Sequence, residues 1–299
     1  MKKTWINKAN VRGYLFSHTL KNKMSKAGVP FIGGEICVAT DEEGMNIVPV
    51  NFSYVPEVFA KSGKPNATYA ELQKIIDANG ENTFEKVGKD AMKVRIDGDV
   101  EVNDFYTREG ELASPKRLRG SFLHKTEEFE GKATFETDIL LSGAFEKEGR
   151  DGSSYVELKG YIFNFTKQIM PVTFNIRSQG GMDYFLGNDI SSKNPLLTTV
   201  RGNIVSTTVV KEKVIESAFG EDFVEKSFSH VRSWDVFWAA KEPMEWDDES
   251  TLTKEELKEC LANREVMLAE RKANQEKFNK QKQKSTTATS IADNEDYAF

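Results

Sequence analysis

The chain has 299 residues, 38% of them apolar and 29% charged, and a net charge of −6. That is enough to bury one large core or two ordinary ones. The proportions exclude a disordered chain, no stretch approaches the ~18 apolar residues of a membrane helix, and Cys37 and Cys260 are too few for a disulfide scaffold and suit a reducing cytoplasm.

The opening MKKTWINKAN is basic but has no apolar run behind it, so it does not read as a signal peptide. Residues 1–30 carry seven basic side chains and no acid. The first strand candidate is VRGYLFSHTL, residues 11–20. GGEICVAT (33–40) and IVPVNFSYV (47–55) alternate as strands around the turn DEEGMN. Residues 67–78 have helical spacing at Tyr69, Leu72, Ile75 and Ile76 and stop at Asn79-Gly80, a C-cap signal. Residues 92–96 and 100–105 flank Asp97-Gly98-Asp99, which predicts a tight hairpin. Strands at 133–145 and 155–165 flank EKEGRDGSS, and 170–178, 197–211 and 228–240 complete the β region. Among these, QGGMDYFLGNDISSKNP is a long loop with room for one helical turn. Residues 158–211 are again basic, six side chains against Asp183 and Asp189.

The pattern changes at Pro243. Thr253-Lys254-Glu255-Glu256 is a capping box, and a charged helix follows to about residue 284. Its apolar residues Leu257, Cys260, Leu261, Met267 and Leu268 form only a short stripe, so the first half should dock and the second project into water. STTATSIADNEDYAF has the composition of a disordered tail. This order predicts a mainly β protein of small barrel or sandwich units with a helical insertion, followed by a C-terminal helix and a tail. The β region is 1–240, in one unit or in two at about 1–130 and 131–240. An acidic linker and charged helix occupy 241–284, and the tail 285–299.

One triplet recurs. A Val or Leu, a basic residue and a Gly open VRGYLF (11–16), LRGSFL (118–123), LKGYIF (158–163) and VRGNIV (200–205), where composition alone predicts fewer than one. Alternate residues of a strand share a face, so Arg12, Tyr14, Phe16 and His18 line one side, as do Lys159, Tyr161, Phe163 and Phe165. Arg119 with Ser121, Leu123 and Lys125, and Arg201 with Asn203 and Val205, are poorer versions. The glycines lie opposite, where a small barrel needs bulges or sharp coils.

A cation beside exposed rings on a curved sheet is one way to hold single-stranded nucleic acid: cations track phosphates while rings stack on bases. The candidate contacts are Arg12, Tyr14, Phe16, Lys21, Lys23, Arg119, Lys159, Tyr161, Phe163, Phe165, Arg177 and Arg201. The same aromatic stripe also suits a hydrophobic core, and both readings stand at this point.

With these strands and the ending DNEDYAF, the chain resembles the single-stranded DNA-binding proteins of bacteriophage replication. The resemblance implies a barrel of the oligonucleotide-binding (OB) type that grips single-stranded DNA in replication or recombination. It also implies an acidic C-terminal tail, here Asp293, Glu295, Asp296, Tyr297 and Phe299, that competes with DNA for the groove and recruits replication proteins. Neither enzyme activity, nor a cofactor, nor a metal, nor a membrane belongs to this picture. It places the protein in the cytoplasm, that of the host for a phage-encoded chain, and leaves self-association open. Two features depart from the pattern: the tail has only three acids, and a long charged helix precedes it.

Catalysis leaves few signs in the sequence. His18, His124 and His230 are not at metal spacing with either cysteine, and no phosphate loop, nucleophile elbow or dinucleotide fingerprint occurs. Glu35, Asp41, Glu136 and Asp138 would suit Mg²⁺ in a nuclease, although carboxylates alternating along strands ordinarily face solvent. Trp234 and Trp238 in WDVFWAA share a strand face and are assigned to the core side of the last strand. A virion-type assembly protein and such a nuclease are the alternatives to DNA binding.

Overall fold

The computed structural model describes residues 4–107, 109–149, 152–215, 219 and 223–292; for 208–215, 223–229 and 278–292 it describes the backbone alone. The strands are β1 (Asn7–His18), β2 (Lys21–Met24), β3 (Pro30–Ala39), β4 (Ile47–Pro56), β5 (Lys93–Val102), β6 (Phe105–Tyr106), β7 (Leu112–Ala113), β8 (Lys116–Thr126), β9 (Lys132–Glu148), β10 (Ser154–Phe163), β11 (Ile169–Ile176), β12 (Leu196–Ile215) and β13 (Phe223–Ala239). The helices are α1 (Ala67–Asp77), α2 (Phe84–Val87), α3 (Gln179–Leu186) and α4 (Lys254–Ala292).

Two closed circuits organise the sheet. In the first, β1, β3, β4, β8 and β5 are neighbours in that order, and β5 returns to β1. In the second the order is β9, β10, β11, β13 and β12, which returns to β9. Every pair is antiparallel except β4–β8 and β11–β13, the third and fifth strands of each circuit. A helix, α1 or α3, separates the third strand from the fourth in both. This is the five-stranded Greek-key barrel of the OB fold, so the mainly β, OB-like architecture expected from the sequence is present. It occurs twice, and the β1–β9 pair joins the two copies.

The triplet glycines stand where neighbouring chain leaves no room for a side chain. A methyl group on Gly13 would overlap the Ala39 carbonyl across the β1–β3 pair, and the Phe135 ring fills the space beside Gly202. The four lie on β1, β8, β10 and β12, which are the first and fifth strands of one barrel and the second and fourth of the other. The triplet is therefore a local coiling device and not the trace of a repeat. Asp97-Gly98-Asp99 belongs with it: β5 runs straight through this segment, which corrects the predicted hairpin. Gly98 permits this because it passes directly against the Arg119 carbonyl at a bulge in β8.

Alternation placed Tyr14, Tyr161 and Phe163 outside the barrels, but outside is not solvent here. Tyr14 is 5% exposed, beside Phe84 of α2 and stacked on Phe129 at 4.4 Å, with half-buried Phe16 joining the cluster. Phe163 is 1% exposed, stacked on Trp5 at 4.3 Å and covered by Leu252, Met244, Trp246 and Leu257 of the C-terminal segment. Tyr161 is half-buried against the same cluster. Enclosing a Phe removes it from water at a gain of about 1.5–3 kcal/mol. Tyr14 and Phe163 are thus core residues, which corrects their assignment as base-stacking rings.

The capping box forms as read: Glu256 N donates to Thr253 Oγ1 at 3.2 Å and Thr253 N to Glu256 Oε2 at 3.1 Å. The first turns of α4 then strap both barrels. Arg264 donates to Asp104 Oδ1, just past β5, at 2.6 Å and to the Ile169 carbonyl of β11 at 3.4 Å. Arg271 and Gln275 reach the carbonyls of Asp104 and Tyr106. The helix continues to Ala292, past the end expected near residue 284. The tail residues Asp293, Glu295, Asp296, Tyr297 and Phe299 lie outside the described residues.

Candidate nucleic-acid interface

Where β1 and β9 pair, the two barrels meet, and a groove of about 780 Å³ opens along the junction. Lys8 and Asn10 of β1 and Lys132 and Thr134 of β9 lie along its floor. One wall carries Arg119 and Phe122 of β8; the other carries Arg201 of β12 and Phe237 of β13.

Both wall phenylalanines owe their exposure to a bulge. Across β5–β8, Gly98 faces Gly120 and Asp97 faces Phe122, so Ser121 is an extra residue. The parity of β8 flips there, and Phe122 turns out of the barrel, 56% exposed. Across β12–β13, Gly202 faces Val236 and Arg201 faces Trp238, so Phe237 is the extra residue, 57% exposed. This flip also moves Trp238 to the surface, beneath the Arg201 guanidinium at 4.6 Å. Trp234 packs against the core as expected, but Trp238 does not, because the bulge breaks the four-residue spacing. A third ring, Phe165, projects from the β10–β11 turn at 92% exposure. Asn164 ties that turn, its Oδ1 accepting from Thr166 Oγ1 at 2.8 Å and Gln168 N at 2.9 Å.

The groove is only weakly basic. Arg119 faces Asp99 at 3.0 Å and Arg201 faces Glu136 at 3.0 Å. Burial pushes the Asp99 carboxyl above its ordinary value, against the pull of Arg119. Asp97 is held by Asn10 at 2.5 Å and Arg95 at 3.2 Å. Lys8 and Lys132 are exposed, and among the described residues neither has an ion-pair partner.

Of the residues predicted as contacts, Arg119, Phe165 and Arg201 meet in this groove. Arg12 stands opposite Lys132 on β1–β9, with Glu130 and Asn10 as partners. Lys159, beside Glu157 and the Phe145 ring, and Arg177, beside Asp235 and the Tyr155 ring, belong to the β10–β11 face of the second barrel. Lys21 and Lys23 lie on β2, an exposed edge strand. Lys8, Phe122, Lys132 and Phe237 are missing from the predicted contacts, and the sequence assigns Trp238 to the core. A bulge shows only in cross-strand register, and a mid-strand glycine opposite it, such as Gly98, was its one visible sign.

Three of the four carboxylates weighed for a metal serve structure. Buried Asp138 accepts from Ile6 N at 2.9 Å and Thr199 Oγ1 at 2.6 Å, Glu136 pairs with Arg201, and Asp41 accepts from the backbone of Met45 and Asn46. Among the described residues no three His, Cys, Asp or Glu side chains come together as metal ligands.

The YorF family model matches residues 6–277, which span both barrels and the docked part of α4. The chain belongs to the YorF family. No curated protein matches it. Among solved structures, this YorF-family chain is similar to two crystal structures of the single-stranded DNA binding protein from Thermus aquaticus, one of a deletion variant and one of the wild type. A deletion variant aligns at 10% identity over 82% of this chain and 98% of that one, TM-score 0.47. The wild type aligns at 11% identity over 80% and 94%, also with a TM-score of 0.47. Among the described residues no helix is long and apolar enough to cross a membrane.

Proposed function

We propose that the chain binds single-stranded DNA in the groove between its barrels, with little sequence preference and without catalysing a reaction on it. The supporting observation is the convergence of three exposed rings, Phe122, Phe165 and Phe237, with Lys8, Lys132, Arg119 and Arg201 in one groove. Large exposed apolar side chains gathered in a concavity mark a binding site. Every base offers a face to such rings, so the stacking tolerates any sequence. The lysines are free to neutralise phosphates, while Arg119 and Arg201 must share themselves with carboxylates.

On this reading the β region 1–240 works as two units, about 1–130 and 131–240, that form one site between them. A role in replication or recombination follows from the ligand. The tail at 285–299 serves to regulate the groove or recruit partner proteins, and deleting 286–299 tests it: tighter DNA binding at low salt and loss of captured replication proteins are expected. The primary test is a fluorescence titration with oligothymidylate and with duplex of equal length. Binding that prefers the single strand supports the proposal; no binding, or equal affinity for duplex, refutes it.

A further inference from the structure

The cross-strand registers make the two barrels duplicates of each other. Each has a bulge in its first strand against its second, at Phe16 between the pairs Leu15–Val38 and Ser17–Cys37, and at Ser142 between Leu141–Gly160 and Gly143–Lys159. Each has a bulge in its fifth strand opposite a glycine of the fourth, Gly98 or Gly202. Asn51 and Asn175 then occupy the same place on the third strand, opposite Arg119 and Asp235 on the fifth. Carrying the registers round the circuits from Gly98 and Gly202 assigns Ala9 and Phe135 to one equivalent position of the first strands.

Ala9 and Phe135 are also paired with each other across the antiparallel β1–β9 junction. An antiparallel pair has a local two-fold axis perpendicular to its sheet, and here the equivalence of the two residues extends that axis to the whole barrels. The groove lies on this axis, and its walls are the same two strands of each barrel. At the bulges Ser121 is the counterpart of Phe237, and Phe122 that of Trp238, so each wall exposes one aromatic ring at the same place of its fifth strand, Phe122 on one and Trp238 on the other.

A single strand of nucleic acid has a direction, and a two-fold axis reverses it. We infer that the groove consists of two half-sites of opposite polarity, so that its full complement is two antiparallel single-stranded segments, and that an ordinary straight strand satisfies one half-site in its preferred sense and the other in reverse. The inference rests on the single-strand reading above and specifies its ligand: a strand turning back on itself, or the paired edges of an opened duplex.

The test compares oligothymidylates of one length: a uniform strand, one with a central 3′–3′ linkage and one with a central 5′–5′ linkage, as competitors for the full-length protein. One of the two inverted strands, which share the two-fold symmetry of the groove, should bind tighter than the uniform strand by roughly fivefold or more, the least that one additional stacked base supplies. Phe122→Ala and Trp238→Ala, which remove the equivalent ring from one half-site or the other, should each abolish that preference, since one half-site alone cannot sense the inversion. A uniform strand that binds as well as both inverted ones, or a preference that survives both substitutions, overturns the antiparallel half-sites while leaving single-strand binding intact. If none of the three binds, the single-strand reading falls, and the half-sites with it.

Discussion

At the scale of single residues, burial separates rings that hold the fold from rings available to a ligand. Phe163→Ala should cost about 3–5 kcal/mol of stability, the range for a large aromatic removed from a core, and thermal unfolding measures it. Phe237→Ala should leave the unfolding midpoint almost unchanged and weaken binding of oligothymidylate by about 1–3 kcal/mol. The reverse assignment of losses would place the binding surface elsewhere. Lys116 presents a different case. It reaches from β8 into the second barrel, donating to the Thr173 carbonyl with its ammonium 5.1 Å from the Phe174 ring and 5.6 Å from the Trp234 ring. Burial there lowers its pKa from 10.5 to about 8, although Glu157 and Asp235 pull the other way. The unfolded chain therefore holds more protons than the folded one between those values, and this lysine makes stability rise with pH across that window. Lys116→Met keeps the stem and removes the charge, so it should raise the melting temperature at neutral pH. The gain should fade as pH approaches 10.5; melts across a pH series check this.

At the scale of elements, register and docking decide what each segment does. Gly13 shows how little freedom a coiled strand leaves. Gly13→Ala should cost at least about 1–3 kcal/mol, the usual range for an overpacked site, because the obstacle is the Ala39 backbone and cannot rotate away. Helix α4 depends on one buried pair. Arg264 is the charged partner of Asp104, which is almost wholly enclosed and also accepts from Ser114 Oγ at 2.7 Å. Arg264→Ala leaves a buried carboxylate uncompensated and should cost about 3–5 kcal/mol, measurable by chemical denaturation. Replacing both partners with apolar residues should recover much of that loss. The β12–β13 hairpin is held midway along β12: Ser206 N donates to Asn46 Oδ1 at 2.7 Å and Thr207 Oγ1 to the Met45 carbonyl at 3.3 Å. The second barrel's longest hairpin thus passes against the first barrel's β3–β4 turn.

At the scale of the whole molecule, the balance of charge in the groove sets the response to salt. Arg119 and Arg201 already face carboxylates, which leaves Lys8 and Lys132 to displace counterions from DNA. With about two phosphates neutralised, log K should fall against log salt with a slope near −1.4, at about −0.7 per phosphate for single strands. A titration from low to moderate salt gives this slope directly. A much steeper one would show that the arginines leave Asp99 and Glu136 for phosphate. Much of the architecture was legible in the sequence, because alternation and capping are local: most of the strands, α1 at 67–77 and the capping box at Thr253 lie where their residues imply, the misread hairpin at Asp97-Gly98-Asp99 apart. The recurring triplet correctly marked strands that must coil. The sequence could not say which outward rings meet water. Tyr14 and Phe163 carry the same alternation signal as a solvent-facing ring, and only segments distant in the chain, Phe129 and the stretch around Leu252, bury them. The duplication of the barrel was equally hidden, since it survives as hydrogen-bond register and bulge position while the side chains at equivalent places have diverged. Tertiary structure decided the groove for the same reason. Phe122 and Phe237 reach it only because one extra residue in each closing strand reverses its faces, and such a shift is a property of two paired strands that neither strand's own sequence contains.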